Sequence, residues 1–186
     1  MNSAAHVLSV PLLALLTLSL LQASAAEEFT GYVVDNYCWD QDNHQGIDNA
    51  LLGTAPQTHI LHCVLVSFCK ASGFVVLEKL SSPAQDGSTY WPKYQLDADG
   101  DALVIRMAEA EMSRGGDRPF DEQVTVKGTV SDSEMAVTSL CITPKEKNPS
   151  QETFCFDASS TDHTVPLQLA GAVVALGLAS FFAASL

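Results

Sequence analysis

Two uncharged apolar segments bracket this chain, at residues 7–21 and 165–186, and all 22 acidic and all nine basic residues lie between them. The first segment is short for a membrane span and runs into the small residues Ala23-Ser24-Ala25-Ala26, so residues 1–26 are expected to be a cleaved signal peptide. The second follows Ala158-Ser159-Ser160 and a short polar spacer, the pattern of a lipid-anchor attachment signal with Ser159 as the acceptor. An ordinary carboxy-terminal membrane helix is the alternative for residues 158–186, because about 20 apolar residues also span a bilayer. Either way the domain at 27–157 is expected outside the cell, at its surface. Its roughly 130 residues suffice for one hydrophobic core and leave no room for two.

An extracellular domain meets oxidising conditions, and all five cysteines (Cys38, Cys63, Cys69, Cys141 and Cys155) lie within it. They can form two disulfides and leave one thiol. The expected pairings are Cys38 with Cys63 or Cys69, pinning a helix to the end of the first strand, and Cys141 with Cys155, tying the last long strand to the segment after it. The net charge of −13 repels nucleic acid and favours cations or a basic protein partner.

Several stretches alternate in the manner of half-buried strands: residues 29–35, 74–80, 90–96 (an edge strand, given Pro92), 124–130 and 135–142, the last two forming a hairpin. Residues 101–112 are expected to be mainly helical. Thr54 with Gln57 three residues on reads as a capping box and Pro56 suits a first turn, so a second helix is expected from about Ala55 to Lys70. On such a helix His59, His62, Cys63 and Cys69 share an arc of roughly 120°. About five short strands with one or two helices give a mainly β, α+β fold. A small closed barrel suits it, because closure removes sheet edges that a chain of this size cannot otherwise cover.

The elements Gly31-x-Val33-Val34-Asp35-x-x-Cys38, a His/Cys stretch, Gly73 before a strand, and Val124-x-Val126-x-Gly128-x-Val130 together resemble the small OB-like barrel domains of secreted and periplasmic proteins. The resemblance implies a disulfide-stabilised OB-like barrel and supplies no function, beyond the oligosaccharide binding that such folds often perform.

Three chemistries follow from the residues. A non-catalytic surface binding or structural module needs only the staples and the anchor. A zinc or copper site could use His59, His62 and Cys63, with His44 or Asp35 completing the shell, since spacings of three and four residues bring helical ligands to one point. Carbohydrate could stack on Tyr32, Tyr37, Trp39, Tyr90, Trp91 and Tyr94. The run Asp97-Ala98-Asp99-Gly100-Asp101 lacks the Gly and Glu spacing of a calcium loop and reads as a turn before a helix cap. Nothing resembling a nucleophile elbow is present, so no catalytic residue is assigned and no cofactor is required.

Overall fold

A computed structural model describes residues 26–143 and 153–160, so most of the segments expected to be a signal peptide (1–26) and an anchor signal (158–186) lies outside the described residues. Among the described residues no helix is long and apolar enough to cross a membrane. The elements are β1 (Ala26–Asp35), α1 (Asn36–Trp39), α2 (Leu61–Leu65), α3 (Ser67–Ser72), β2 (Phe74–Lys79), β3 (Tyr90–Leu96), α4 (Ala98–Gly115), β4 (Gln123–Ser131), β5 (Glu134–Thr143) and β6 (Phe154–Asp157), with single 3-10 turns at Asp42–His44 and Pro56–Thr58. The fold is therefore mainly β with a few helices, as the alternation implies.

Strand neighbours run β3-β2-β1-β4-β5-β6, each pair antiparallel, and β3 makes a further parallel contact with β5 through Gln95↔Glu134 and Leu96↔Met135. The long strand β1 is the pivot. Its first half pairs with β4 and its second half with β2. Pro92 sits in the middle of β3, opposite Leu77 of β2 and next to a shift in register between Val76 and Leu77, an irregularity that accommodates a residue with no N–H to give. α4 connects β3 to β4; Asp97 caps it by accepting from Gly100 N at 2.9 Å and also takes Val137 N at 3.1 Å, which fixes the helix to β5.

Alternation along β1 and β2 sorts side chains onto two faces, and both are covered. Val33, Phe74 and Val76 join the main core with Leu103, Val104 and Met107 of α4 and with Val124, Val126 and Leu140. Val34, Val75 and Leu77 face the other way, into a smaller cluster with Cys38, Trp39, Leu52 and Cys69. Burial on both faces is why Phe74–Leu77 is an unbroken apolar run and not an alternating one.

The expected pairing of Cys38 with Cys63 or Cys69 does not form, since all three are free thiols, and two elements differ from the sequence reading as well. The helix expected over 55–70 is broken into a 3-10 turn, α2 and α3, and the proposed capping box does not form. The cause is a tertiary contact with the segment after α4. Leu61 N donates to Arg118 O at 3.0 Å and Phe120 N to His59 O at 2.7 Å, and this bridging requires extended backbone at His59 and Ile60. Arg118 is itself held by Glu111 at 2.7 Å and Glu122 at 3.2 Å, so the displacing segment is firmly placed. The second difference is β6, a four-residue strand absent from the sequence reading, which carries the Cys141–Cys155 disulfide (S–S 2.09 Å) across a register in which the two cysteines stand directly opposite each other.

Candidate metal centre

Where β1 ends, its last residue turns inward and becomes the first residue of a buried polar cluster. Asp35 is fully buried and caps α1: its Oδ1 accepts from Cys38 N at 2.9 Å, while Oδ2 lies 3.0 Å from Nε2 of His59. His59, 1 % exposed, owes its position to the extended segment that replaces the expected helix. Its other nitrogen, Nδ1, donates to Oδ2 of Asp48 at 2.9 Å.

Asp48 arrives on a tight loop, Gly46-Ile47-Asp48-Asn49-Ala50. Gly46 N donates to Ala50 O, Asn49 adopts φ 67°, and Asp48 Oδ1 takes Ala50 N at 3.1 Å, the local turn that Asp side chains favour. The second oxygen takes Ile60 N at 2.8 Å as well as His59, so this carboxylate is immobilised by three donors. Gly46 is required for the loop to lie against the ring. A Cβ there would stand 2.6 Å from Asp48 Oδ1 and 3.3 Å from His59 Nδ1.

Sulfur surrounds this axis. Cys38 and Cys69 are fully buried with their Sγ atoms 3.9 Å apart. Cys63, 3 % exposed, lies on the Asp48 side of the ring. Two donor groups result, Asp35–Cys38–His59 and Asp48–His59–Cys63, each with ligand atoms within 4.8 Å of one another.

The electrostatics follow from packing carboxylates against one imidazole. Burial alone would raise Asp48, but the bonds from His59 and the Ile60 N–H outweigh it and hold the carboxyl at about 2. Asp35 is lowered as well: burial opposes, and the His59 bond and the Cys38 N–H prevail. Burial would lower His59, yet the two aspartates push it up to about 11, so without a metal the ring is an imidazolium between two carboxylates. Cys63 is pushed up to about 12, chiefly by burial, and Cys69 is raised for the same reason.

Of the sequence-predicted ligands, His59 is brought together with Cys63 on one side of its ring and with Asp35 on the other. His62 is not: it is exposed on α2, with its N–H bonded to Asp117. His44 is not either. It belongs to neither donor group, stacks on Trp39 at 4.0 Å and bonds Trp39 O through Nδ1 and Asp86 through Nε2. Both were placed by helical spacing or by proximity in sequence, and the break in the helix rotates His62 away from His59. Asp48 was missed, since an aspartate in a polar loop carries no pattern of its own.

The aromatic residues pair off in separate contacts. Tyr94 is buried against Phe29 and donates to Glu27, Tyr32 meets Tyr90, Tyr37 meets Phe68, and Trp39 with His44 meets Trp91 edge-on. Of the six named in the sequence, Trp91 and Tyr37 are exposed.

The donor chemistry suits a borderline or soft ion. In a tetrahedral zinc site with Zn–S bonds of about 2.3 Å, two sulfurs stand about 3.8 Å apart; Cys38 and Cys69 stand at 3.9 Å. Of this sulfur pair Cys38 belongs to the three-donor group with Asp35 and His59, whose Oδ2 and Nε2 stand 3.0 Å apart, while Cys69 adjoins that group through Cys38. Asp48 then has the place of the outer carboxylate that receives the far N–H of a metal-bound histidine and sets its tautomer. No protein-family model, no curated protein and no solved structure matches this chain.

Proposed function

We propose that this chain is a secreted, surface-held binding module on an OB-like barrel, and that its ligand is a zinc(II) or copper ion held by Asp35, Cys38, His59 and Cys69. The observation that carries this reading is the buried Asp35–Cys38–His59 group, its ligand atoms within 4.8 Å of one another, with the fully buried Cys69 sulfur 3.9 Å from that of Cys38 as the fourth donor we assign to it. Hard ions such as magnesium or calcium take oxygen donors and are disfavoured by thiolates. Loading displaces a proton from each ligand that carries one, so the site binds metal more tightly as pH rises.

Barrel closure is supported by the parallel β3–β5 contact, which completes a circuit β3-β2-β1-β4-β5, and by the single long helix between β3 and β4. The extracellular location is supported by the apolar leader and by the Cys141–Cys155 disulfide, a bond that persists in oxidising compartments. Attachment through Ser159 is supported by its exposed turn just beyond β6.

Elemental analysis of protein purified anaerobically without chelator tests the reading, together with a count of free thiols after acid denaturation. One zinc or copper per chain with three free thiols is expected. Metal-free protein with a Cys38–Cys69 disulfide would make the cluster a structural staple instead.

A further inference from the structure

We infer that oxidation gates the centre: joining Cys38 to Cys69 releases the metal, and reducing the bond restores the site. This rests on the metal-centre reading above and concerns how the site gives up its ion.

Two sulfurs at 3.9 Å satisfy two mutually exclusive arrangements. As thiolates they stand at the separation of two ligands on one tetrahedral ion. As a disulfide they close to about 2.0 Å and lose the negative charge that a metal bond needs. The pair is set by the ends of two short helices. Cys38 is the third residue of α1 and Cys69 the third of α3, and the helices are tied together by Asn36 Nδ2 to Ser72 O at 2.8 Å, Tyr37 N to Ser72 Oγ at 2.9 Å and Asn36 N to Gly73 O at 3.0 Å. These ties hold the two unlinked sulfurs opposite each other. Both sulfurs are fully buried, so an external disulfide reaches them only when α1 or α3 opens; these helices have four and six residues, and their contacting Tyr37 and Phe68 side chains lie at the surface. Cys63 sits in the other donor group, with Asp48, and is not needed.

The oxidant is a disulfide, small or protein-borne. One cysteine thiolate attacks a sulfur of that disulfide, whose S–S bond breaks; a mixed disulfide forms and one thiolate leaves. The second cysteine thiolate attacks the mixed disulfide at the protein sulfur, the Cys38–Cys69 bond forms, and the second thiolate leaves. Two electrons pass from the two cysteines to the external disulfide. The site keeps only Asp35 and His59, and the ion departs with its charge unchanged.

The test uses full-length domain loaded with zinc under reducing conditions and then freed of reductant. Oxidised glutathione is added, zinc release is followed with a chromogenic indicator, and disulfides are mapped by mass spectrometry. Release of one zinc per chain in step with a Cys38–Cys69 link is expected, reversed by reductant and added zinc, and Cys63→Ser should behave as wild type. Zinc that stays bound while the protein remains unlinked overturns the gate and leaves the metal centre standing. Release that requires Cys63, through a link other than Cys38–Cys69, overturns it equally. Failure of the reduced protein to load zinc at all overturns the metal centre and the gate together.

Discussion

His59 Nδ1 donates to Asp48 Oδ2 at 2.9 Å, and the same oxygen takes the backbone N–H of Ile60, the residue next to that histidine. One carboxylate thus fixes both the ring and the chain that carries it. Asp48→Asn keeps the shape and removes the charge. Zinc affinity should fall by about 10- to 100-fold, the usual cost of losing an outer carboxylate partner, in a competition titration against a chromogenic chelator.

His59 and His62, united by helical spacing in the sequence, separate sharply in stability. His59→Ala strips the partner from two buried carboxylates and should cost about 3–5 kcal/mol in denaturant melts of the metal-free protein. His62→Ala, on an exposed position, should stay within about 0.5 kcal/mol. Equal effects would contradict the placement.

The strands were legible because their alternation reports a local rule, side chains pointing to opposite faces. β1, β2, β3 and the β4–β5 hairpin fall within a few residues of where residues 29–35, 74–80, 90–96 and 124–142 place them. β6 was not, since Phe154-Cys155-Phe156-Asp157 is too short to show a period. The helix over 55–70 failed for another reason: its capping signals are local, and the bonds from residues 118–120 that overrule them come from a segment nearly 60 residues away. That failure carried into the site. Helical spacing united His59 with His62, whereas the extended backbone at His59 turns its ring toward Asp35 and Asp48. The motif Asp35-x-x-Cys38 held the usable signal, for an aspartate three residues before an N–H that it caps brings its own carboxylate and that cysteine to one point.

Gly46→Ala probes the loop that carries Asp48. The added Cβ would lie 2.6 Å from the Asp48 carboxylate and 3.3 Å from the ring, so the loop must shift. A loss of about 1–3 kcal/mol is expected in melts, with weakened zinc binding alongside.

Asp101 supplies a pH dependence away from the centre. Burial and neighbouring Asp97 push its carboxyl up to about 6, although it accepts the Phe74 N–H. A raised carboxyl favours the protonated folded state, so its contribution is present below the unfolded value near 4 and is lost as pH rises through about 6. Between pH 4 and 7 the wild type should lose up to roughly 2–3 kcal/mol relative to Asp101→Asn in parallel melts.

The disulfide is separable from the cluster. Cys141 and Cys155 close a short loop, 14 residues apart, on the β5–β6 edge. The double change to serine should cost about 2–3 kcal/mol and leave zinc affinity unchanged.

X-ray absorption at the metal edge of the loaded protein tests the central claim most directly. Two sulfur scatterers at about 2.3 Å and two nitrogen or oxygen scatterers at about 2.0–2.1 Å are predicted, with one sulfur lost in Cys69→Ser and both retained in Cys63→Ser. A first shell of light atoms alone, or a sulfur that disappears with Cys63, would contradict a centre built on Asp35, Cys38, His59 and Cys69.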